Sequence, residues 1–167
     1  RVGDLPDSSL VSVRLSDNRR LCVATPAYLQ KHGTPKHPSE LMQHSCLTLS
    51  SDASQTRGWA FKAQNSENAE APEVFHVRPH GPLDCSDGQV LRSWCLASMG
   101  IAWRSTWEVE NDIQSGQLVE VLADFAAPPN GIYGVFPQRK HLPLRLRLWI
   151  DFLKHHYSLP STWQSAP

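Results

Sequence analysis

SDGQVLRSWCLASMGIAWRSTW, residues 86 to 107, joins an amphipathic helix to a buried strand and decides the fold class. Ser86-Asp87-Gly88 is a typical helix start, and apolar residues then recur at spacings of three and four. Gly100 is expected to end this helix. Ile101 to Trp103 is typical of a buried strand, but a guanidinium and two hydroxyls follow it. This polar strand end predicts either a solvated edge or the wall of a binding site.

The rest of the chain alternates short apolar strands with helices of about ten residues, which predicts an α/β fold with a largely parallel sheet. Residues 17–20 are expected to break the first strand. Leu146, Trp149, Ile150, Leu153 and Tyr157 are predicted to share the apolar face of the last helix. The predicted strands are 10–15, 21–24, 47–49, 59–61, 74–77, 101–103, 118–122 and 132–136. The predicted helices begin at Pro26, Glu40, Gly88 and Trp107, and the last spans about 144–157.

The composition of the chain argues against two classes of function, DNA binding by this chain alone and membrane insertion. The chain has 167 residues, 16 Lys plus Arg and 16 Asp plus Glu, so its formal net charge is zero. A duplex-binding surface needs excess cations, so the chain is not expected to bind DNA alone. No apolar run approaches the length of a membrane span.

Metal and catalytic motifs are not evident. The four cysteines form no Cys-x-x-Cys pair, so neither a zinc site nor another cofactor is expected. Cys22 and Cys95 lie in apolar runs and are expected in the core of a protein from a reducing, cytoplasmic setting. No Gly-x-Ser-x-Gly or phosphate-binding glycine motif is present, and an enzyme is not predicted.

A series of motifs resembles the effector-binding domain of LysR-type transcriptional regulators. Each motif alone is weak, but their order and spacing extend over nearly the whole chain. The matching segments are RVGDLPDSSL (1–10), LCVATPAYLQKHGTP (21–35), HPSELMQHSCL (37–47), SDGQVLRSWCLASMGIAW (86–103), GQLVEVL (116–122), IYGVFPQRKHLP (132–143) and RLWIDFL (147–153).

The resemblance implies a two-lobe α/β fold like that of type 2 periplasmic binding proteins. Lobe II is expected to be complete, at 19–135. Lobe I is expected to be partial, with a remnant and crossover at 1–18 and a return at 136–167 that carries the last helix and a tail. The apolar face of that helix is expected to need a partner beyond this chain.

In the family, the effector binds between the lobes, at strand ends and helix N-termini, where unpaired N–H groups favour an anion. The positions that match are Thr25, Ser86, Asp87, Trp103, Arg104 and Ser105. Thr25 and Asp87 are also ordinary N-caps, and capping alone is the alternative for both helix starts.

Arg104 is the strongest candidate among these residues. A guanidinium at a strand end can clamp a carboxylate, and Trp103 or Trp107 can offer a stacking face. The alternatives are an internal ion pair, with Asp87 or Glu108, or a solvated side chain.

Asp4 and the helix from residue 89 to 99 carry two further predictions. Asp4 is expected near the cleft, where some relatives have arginine, so it favours a polar or cationic ligand group at that point. The helix is a predicted dimer contact, with Arg92 and Ser93 on its outer side.

The predicted function is effector sensing within a LysR-type regulator. A small molecule, with a carboxylate as one candidate class, binds in the cleft and alters the geometry of a homodimer or homotetramer. DNA is contacted only through an N-terminal winged helix-turn-helix outside this chain, and no membrane is involved. The alternative is a solute-binding protein of a transport system with the same fold.

Overall fold

The computed structural model describes residues 10–50, 58–63, 73–137 and 143–158. The chain divides into two compact units, each described by itself below. Unit 1 is Arg1–Arg19 with Pro129–Pro167, and unit 2 is Arg20–Pro128. The chain returns to unit 1 at Pro129. The assignment of these units to lobes stays a prediction.

Nine strands and four α-helices form within the described residues. The strands are β1 Leu10–Asn18, β2 Arg20–Ala24, β3 Cys46–Leu49, β4 Trp59–Lys62, β5 Val74–Val77, β6 Asp84–Cys85, β7 Ile101–Ser105, β8 Val119–Val121 and β9 Asn130–Pro137. The helices are α1 Pro26–His32, α2 Gly88–Leu96, α3 Thr106–Gln114 and α4 Leu144–Ser158. Two 3-10 turns span Pro38–Gln43 and Ala123–Phe125.

Unit 2 is built on a five-stranded sheet of order β6-β3-β7-β2-β8. Strands β6, β3 and β7 are parallel, whereas β2 runs antiparallel to both β7 and β8. The prediction of a largely parallel sheet was therefore wrong. The connection from β2 to β3 passes through α1 and a 3-10 turn. It joins the end of β2 to the start of β3 on the same side of the sheet, so β3 runs opposite to β2.

Both faces of this sheet are covered, which explains its short, wholly apolar strands. Successive side chains of β2 point to opposite faces. Leu21 and Val23 join one buried cluster, with residues of α2 and α3. Cys22 and Ala24 join a second cluster, with residues of α1 and of the antiparallel pair β4–β5.

The helix boundaries were largely predictable, with one exception. Gly33 and Gly116 follow α1 and α3 with positive φ, as expected. At the end of α2, however, Ser98 adopts the left-handed conformation instead of Gly100. Gly100 has a different role, because a Cβ there would lie 2.4 Å from the carbonyl oxygen of Ser45.

Unit 1 contains a two-stranded sheet and α4. Strand β1 pairs antiparallel with β9, with a register shift between Arg14 and Ser16. The predicted break at residues 17–20 was wrong for Asp17 and Asn18. Both continue β1, because β9 supplies ladder partners as far as Asn130.

Helix α4 packs against β1. Ile150 is 9% exposed and lies on the predicted face, but Trp149 is 56% exposed and does not. The exposed residues of α4 are partly charged, but they include four large apolar side chains, Leu144, Leu148, Trp149 and Phe152.

Candidate functional site

The candidate site lies within unit 2, at the edge of the sheet where the parallel strands end. Helix α2 begins three residues after β6, and α3 begins directly after β7. Since β6 and β7 point the same way, both helix N-termini lie at this edge. The first residue of β2, Arg20, pairs with Ser105, the last residue of β7. The structure thus brings Ser86, Asp87, Trp103, Arg104 and Ser105 to one edge.

Arg104 forms an ion pair with Glu108 of α3. Its Nε donates to Glu108 Oε2 at 2.6 Å, and Nη2 contacts the same oxygen. The two side chains are only 7% and 10% exposed. The guanidinium also lies over Gly88, where a Cβ would be 2.0 Å from Nη2. The glycine at the start of α2 therefore makes room for Arg104.

Of the alternatives considered for Arg104, the structure shows the internal ion pair with Glu108. The predicted ligand contact by Arg104 stays a prediction. A ligand that engaged Arg104 would have to compete with Glu108 or share the guanidinium with it.

Trp103 contacts two side chains that the sequence did not suggest as its partners. Its ring is stacked with Trp59, with centroids 6.2 Å apart and an 18° angle between the planes. The guanidinium carbon of Arg20 lies 4.6 Å from the ring centroid, a cation–π distance. Both contacts involve the indole ring that was predicted to stack against a ligand. That role of Trp103 stays a prediction.

Arg20 was missed by the sequence reasoning. Its Nε is buried and has no hydrogen-bond partner. Burial lowers the pKa of Arg20, repulsion from Arg104 lowers it further, and attraction from Glu108 acts in the opposite direction. In the sequence, Arg20 stands where a turn was expected, and only its pairing with Ser105 reveals its place at the site.

Asp87 and Ser105 occupy the N-cap positions of the two helices. Asp87 Oδ1 accepts hydrogen bonds from the amides of Gln89 at 2.7 Å and Val90 at 3.4 Å. The Ser105 side chain is buried and makes no capping bond to α3. Ser86 is exposed beside Asp87. Asp87 therefore serves as a structural cap, and the amides that it caps are already satisfied.

Thr25 is not at this edge. It follows the last residue of β2, at the opposite end from Arg20, and a five-residue strand separates its two ends by about 13 Å. Its Oγ1 accepts from the amide of Tyr28 at 3.2 Å and lies 2.7 Å from Ser98 Oγ. These bonds are those of an N-cap, the alternative weighed for this residue.

The remaining predicted residues divide into two groups. Asp4 lies outside the described residues. Arg92 is held by Asp112 of α3, with Nε and Nη2 each 2.6 Å from a carboxylate oxygen. Ser93 is exposed, and its hydroxyl donates to the Gln89 carbonyl. Neither observation tests the predicted dimer contact.

Metal ligation and thiol chemistry have little support in the described parts of the chain. Within them no group of three or more His, Cys, Asp or Glu side chains is arranged to hold a metal ion. All four cysteines are free, and burial raises the pKa of Cys46 and Cys95 to about 12. These two thiols are therefore poor nucleophiles near neutral pH. None of the described helices has the length and apolar character needed to cross a membrane.

Comparison with known proteins identifies the family of the chain. The family model described as the LysR substrate binding domain matches residues 1–158. The chain belongs to the LysR substrate-binding-domain family. The resemblance to LysR-type regulators that the sequence motifs indicated is thereby confirmed.

Two curated relatives of the chain are transcriptional regulators. The chain is 32% identical over 158 residues to the HTH-type transcriptional regulator DmlR of Escherichia coli K12, covering 95% of this chain and 49% of DmlR. It is 38% identical over 157 residues to CrgA of Neisseria meningitidis serogroup C strain 8013, covering 92% of this chain and 48% of CrgA. The chain thus spans about half the length of these relatives.

Solved structures confirm the predicted fold class. The regulatory domain of CrgA, a LysR-type regulator from Neisseria meningitidis, superposes with a TM-score of 0.72 at 35% identity. The match covers 93% of this chain and 72% of that domain. The LysR substrate-binding domain of this chain therefore has the α/β fold of LysR regulatory domains, which is like that of type 2 periplasmic binding proteins.

Proposed function

We propose that this chain is the effector-sensing part of a LysR-type transcriptional regulator, and that a small molecule binds at the edge where β6 and β7 end. The observation that carries the proposal is the meeting of two helix N-termini and two arginines at that edge, in a chain of the LysR substrate-binding-domain family. Helix N-termini and guanidinium groups both favour a negatively charged ligand group, and here the start of α3 has no side-chain cap, whereas the start of α2 is capped by Asp87. Carboxylates are therefore the first class to test.

The proposed activity is binding without turnover. The named relatives are regulators, and the described residues at the edge include no thiol or histidine held by a neighbouring base. A ligand that prefers one arrangement of the regulator shifts the equilibrium toward it and so changes DNA binding. DNA itself is contacted by a winged helix-turn-helix outside this chain, in the cytoplasm, within a homodimer or homotetramer.

A thermal-shift screen tests the sensor proposal. The compounds are organic acids, amino acids, aromatic carboxylates and their neutral amides, applied to the 167-residue chain. A ligand at 100 times its Kd stabilises the folded state by about 2.7 kcal/mol, which a melting curve resolves. A binder that is recovered unchanged supports the proposal. A compound that is converted, or a screen in which no class shifts the melting temperature, contradicts it.

Thr25→Ala and Asp87→Ala separate capping from ligand contact in the same assay. Loss of an N-cap costs about 1 kcal/mol without a ligand. If Thr25 only caps α1, Thr25→Ala lowers the melting temperature and leaves the ligand-induced shift unchanged. A reduced ligand-induced shift would instead support the original prediction that Thr25 contacts the ligand.

The dimer contact through α2 remains part of the proposal, but its test must avoid Arg92, which the Asp112 ion pair holds within the unit. Ser93 is exposed on the same helix and offers a cleaner site. Ser93→Arg is expected to shift the sedimenting mass of the regulator toward the monomer while its circular dichroism is unchanged. An unaltered mass would exclude this face from the dimer contact.

The transport alternative makes a different prediction about the gene. A solute-binding protein requires an export signal before this domain, whereas a regulator requires a winged helix-turn-helix there. The HTH-type relatives favour the regulator. Reading the codons that precede this segment distinguishes the two.

A further inference from the structure

The carboxylate of Asp87 is exposed and caps α2, and without it the buried charges at the candidate site do not balance. Arg20, Arg104 and Glu108 interact electrostatically, and among the described residues these are the charged groups found to act on Arg20. Two guanidinium groups and one carboxylate leave one positive charge in a largely buried cluster. Removing a charge from water is costly unless an opposite charge accompanies it.

Arg104 and Arg20 differ in how their charge is compensated. The guanidinium of Arg104 directs two nitrogens at one oxygen of Glu108, and both side chains are almost fully buried. That pair is electrically neutral as it stands. The guanidinium of Arg20 lies over the face of Trp103 and is attracted by Glu108, but its buried Nε donates to no acceptor.

The position of Arg20 also suits a ligand contact. It is the first residue of β2 and lies opposite Ser105, where α3 begins. Its guanidinium carbon lies 4.6 Å from the ring centroid of Trp103, which is itself stacked with Trp59, and this contact restricts the side chain of Arg20. A fixed guanidinium loses less conformational entropy when it binds an oxyanion.

We propose that Arg20, and not Arg104, is the residue that binds the anionic group of the effector, and that the effector is an organic carboxylate. This proposal rests on the proposed function, because it names the ligand class and the contact residue of that same site. Arg104 and Glu108 act as positioning residues. Their neutral pair fixes the start of α3 beside the start of α2 and leaves the charge of Arg20 for the ligand.

Benzoate and benzamide are suitable probes, because they have nearly the same shape and only benzoate is charged. Binding of each to the 167-residue chain is measured by calorimetry, together with the side-chain Nε–H resonance of Arg20 by NMR. A charge-assisted hydrogen bond predicts that benzoate binds about tenfold or more tightly than benzamide. Benzoate is also expected to shift the Arg20 Nε–H resonance.

Three variants complete the test. Arg20→Gln removes the charge and is expected to weaken benzoate binding by about tenfold or more, to the level of benzamide. Arg20→Lys keeps the charge without the planar fork and is expected to be intermediate. Arg19→Gln is the control, since it removes the same charge from the exposed neighbouring position and is expected to leave binding unchanged. Circular dichroism verifies the fold of each variant.

The outcomes separate this inference from the sensor proposal. Benzoate binding that survives Arg20→Gln overturns the role of Arg20, and equal binding of both probes overturns the carboxylate class. Failure of both probes to bind also overturns the carboxylate site at Arg20. In each case the sensor proposal is judged independently by whether a compound of another class is found in the thermal-shift screen.

Discussion

Glu108→Gln tests the buried ion pair at the candidate site. The substitution keeps the size of the side chain but removes its charge, so Arg104 and Arg20 are left as neighbouring cations without their carboxylate. Breaking a buried ion pair on one side costs about 3–5 kcal/mol. Arg104 and Glu108 retain 7% and 10% exposure, so the lower end, about 3 kcal/mol, is expected. This is a large fraction of the stability of an ordinary domain.

Urea unfolding followed by tryptophan fluorescence is the assay, because Trp59 and Trp103 report on the same region of unit 2. With an m-value of about 1–3 kcal/mol/M, a loss of 3 kcal/mol lowers the midpoint by about 1–3 M. Glu110→Gln is the matched control, since it makes the same charge change two residues along α3. It is expected to cost less than about 0.5 kcal/mol.

Two double variants are expected to restore part of the stability that Glu108→Gln removes. Replacing both partners with leucine is expected to recover most of the lost stability, because no buried charge is then left alone in the pair. Adding Arg20→Gln to Glu108→Gln is expected to recover part of it by removing the repulsion between the two arginines. If Glu108→Gln costs no more than Glu110→Gln, the ion pair does not stabilise this edge and the charge argument for Arg20 fails with it.

Three further predictions concern other contacts of unit 2, each measured by urea unfolding. Asp112→Asn is expected to cost about 2 kcal/mol, because Asp112 is buried but its partner Arg92 is partly exposed; a cost near zero would contradict the bidentate pair. Gly100→Ala is expected to cost about 1–3 kcal/mol, because the new Cβ meets the Ser45 carbonyl, and a neutral result would refute this close contact. Burial lowers the pKa of His44 from 6.5, so protonation favours the unfolded chain and stability falls as the pH drops below that value. His44→Gln should flatten this dependence, and an unchanged pH profile would show that another group causes it.

The local pattern of the sequence was sufficient for most helices and strands. The helix α1 begins at Pro26, directly after Thr25, and ends before Gly33, as capping preferences predict. The strand that begins at Ile101 was also expected, but it continues to Ser105. Local signals suffice for such elements because caps and periodicity depend on residues only a few positions apart.

The order of the strands in the sheet and the set of residues at the site could not be predicted from local sequence patterns, because both depend on contacts between distant parts of the chain. The antiparallel direction of β2 depends on which edge its connection returns to. That direction moves Thr25 away from the site and brings Arg20 to it. Residues 20 and 104 are far apart in sequence, so their shared charge cluster followed only from strand pairing. Trp149 was misplaced for a simpler reason: it borders the apolar stripe of α4, and periodicity alone did not assign it a side.

Hydrogen exchange measured by mass spectrometry, with and without the strongest binder from the screen, tests the central claim most directly. The account predicts that the ligand slows exchange in peptides covering residues 84–90 and 101–110, where β6 and β7 end and α2 and α3 begin. Protection confined to residues 26–32 or 144–158, with none at this edge, would contradict it.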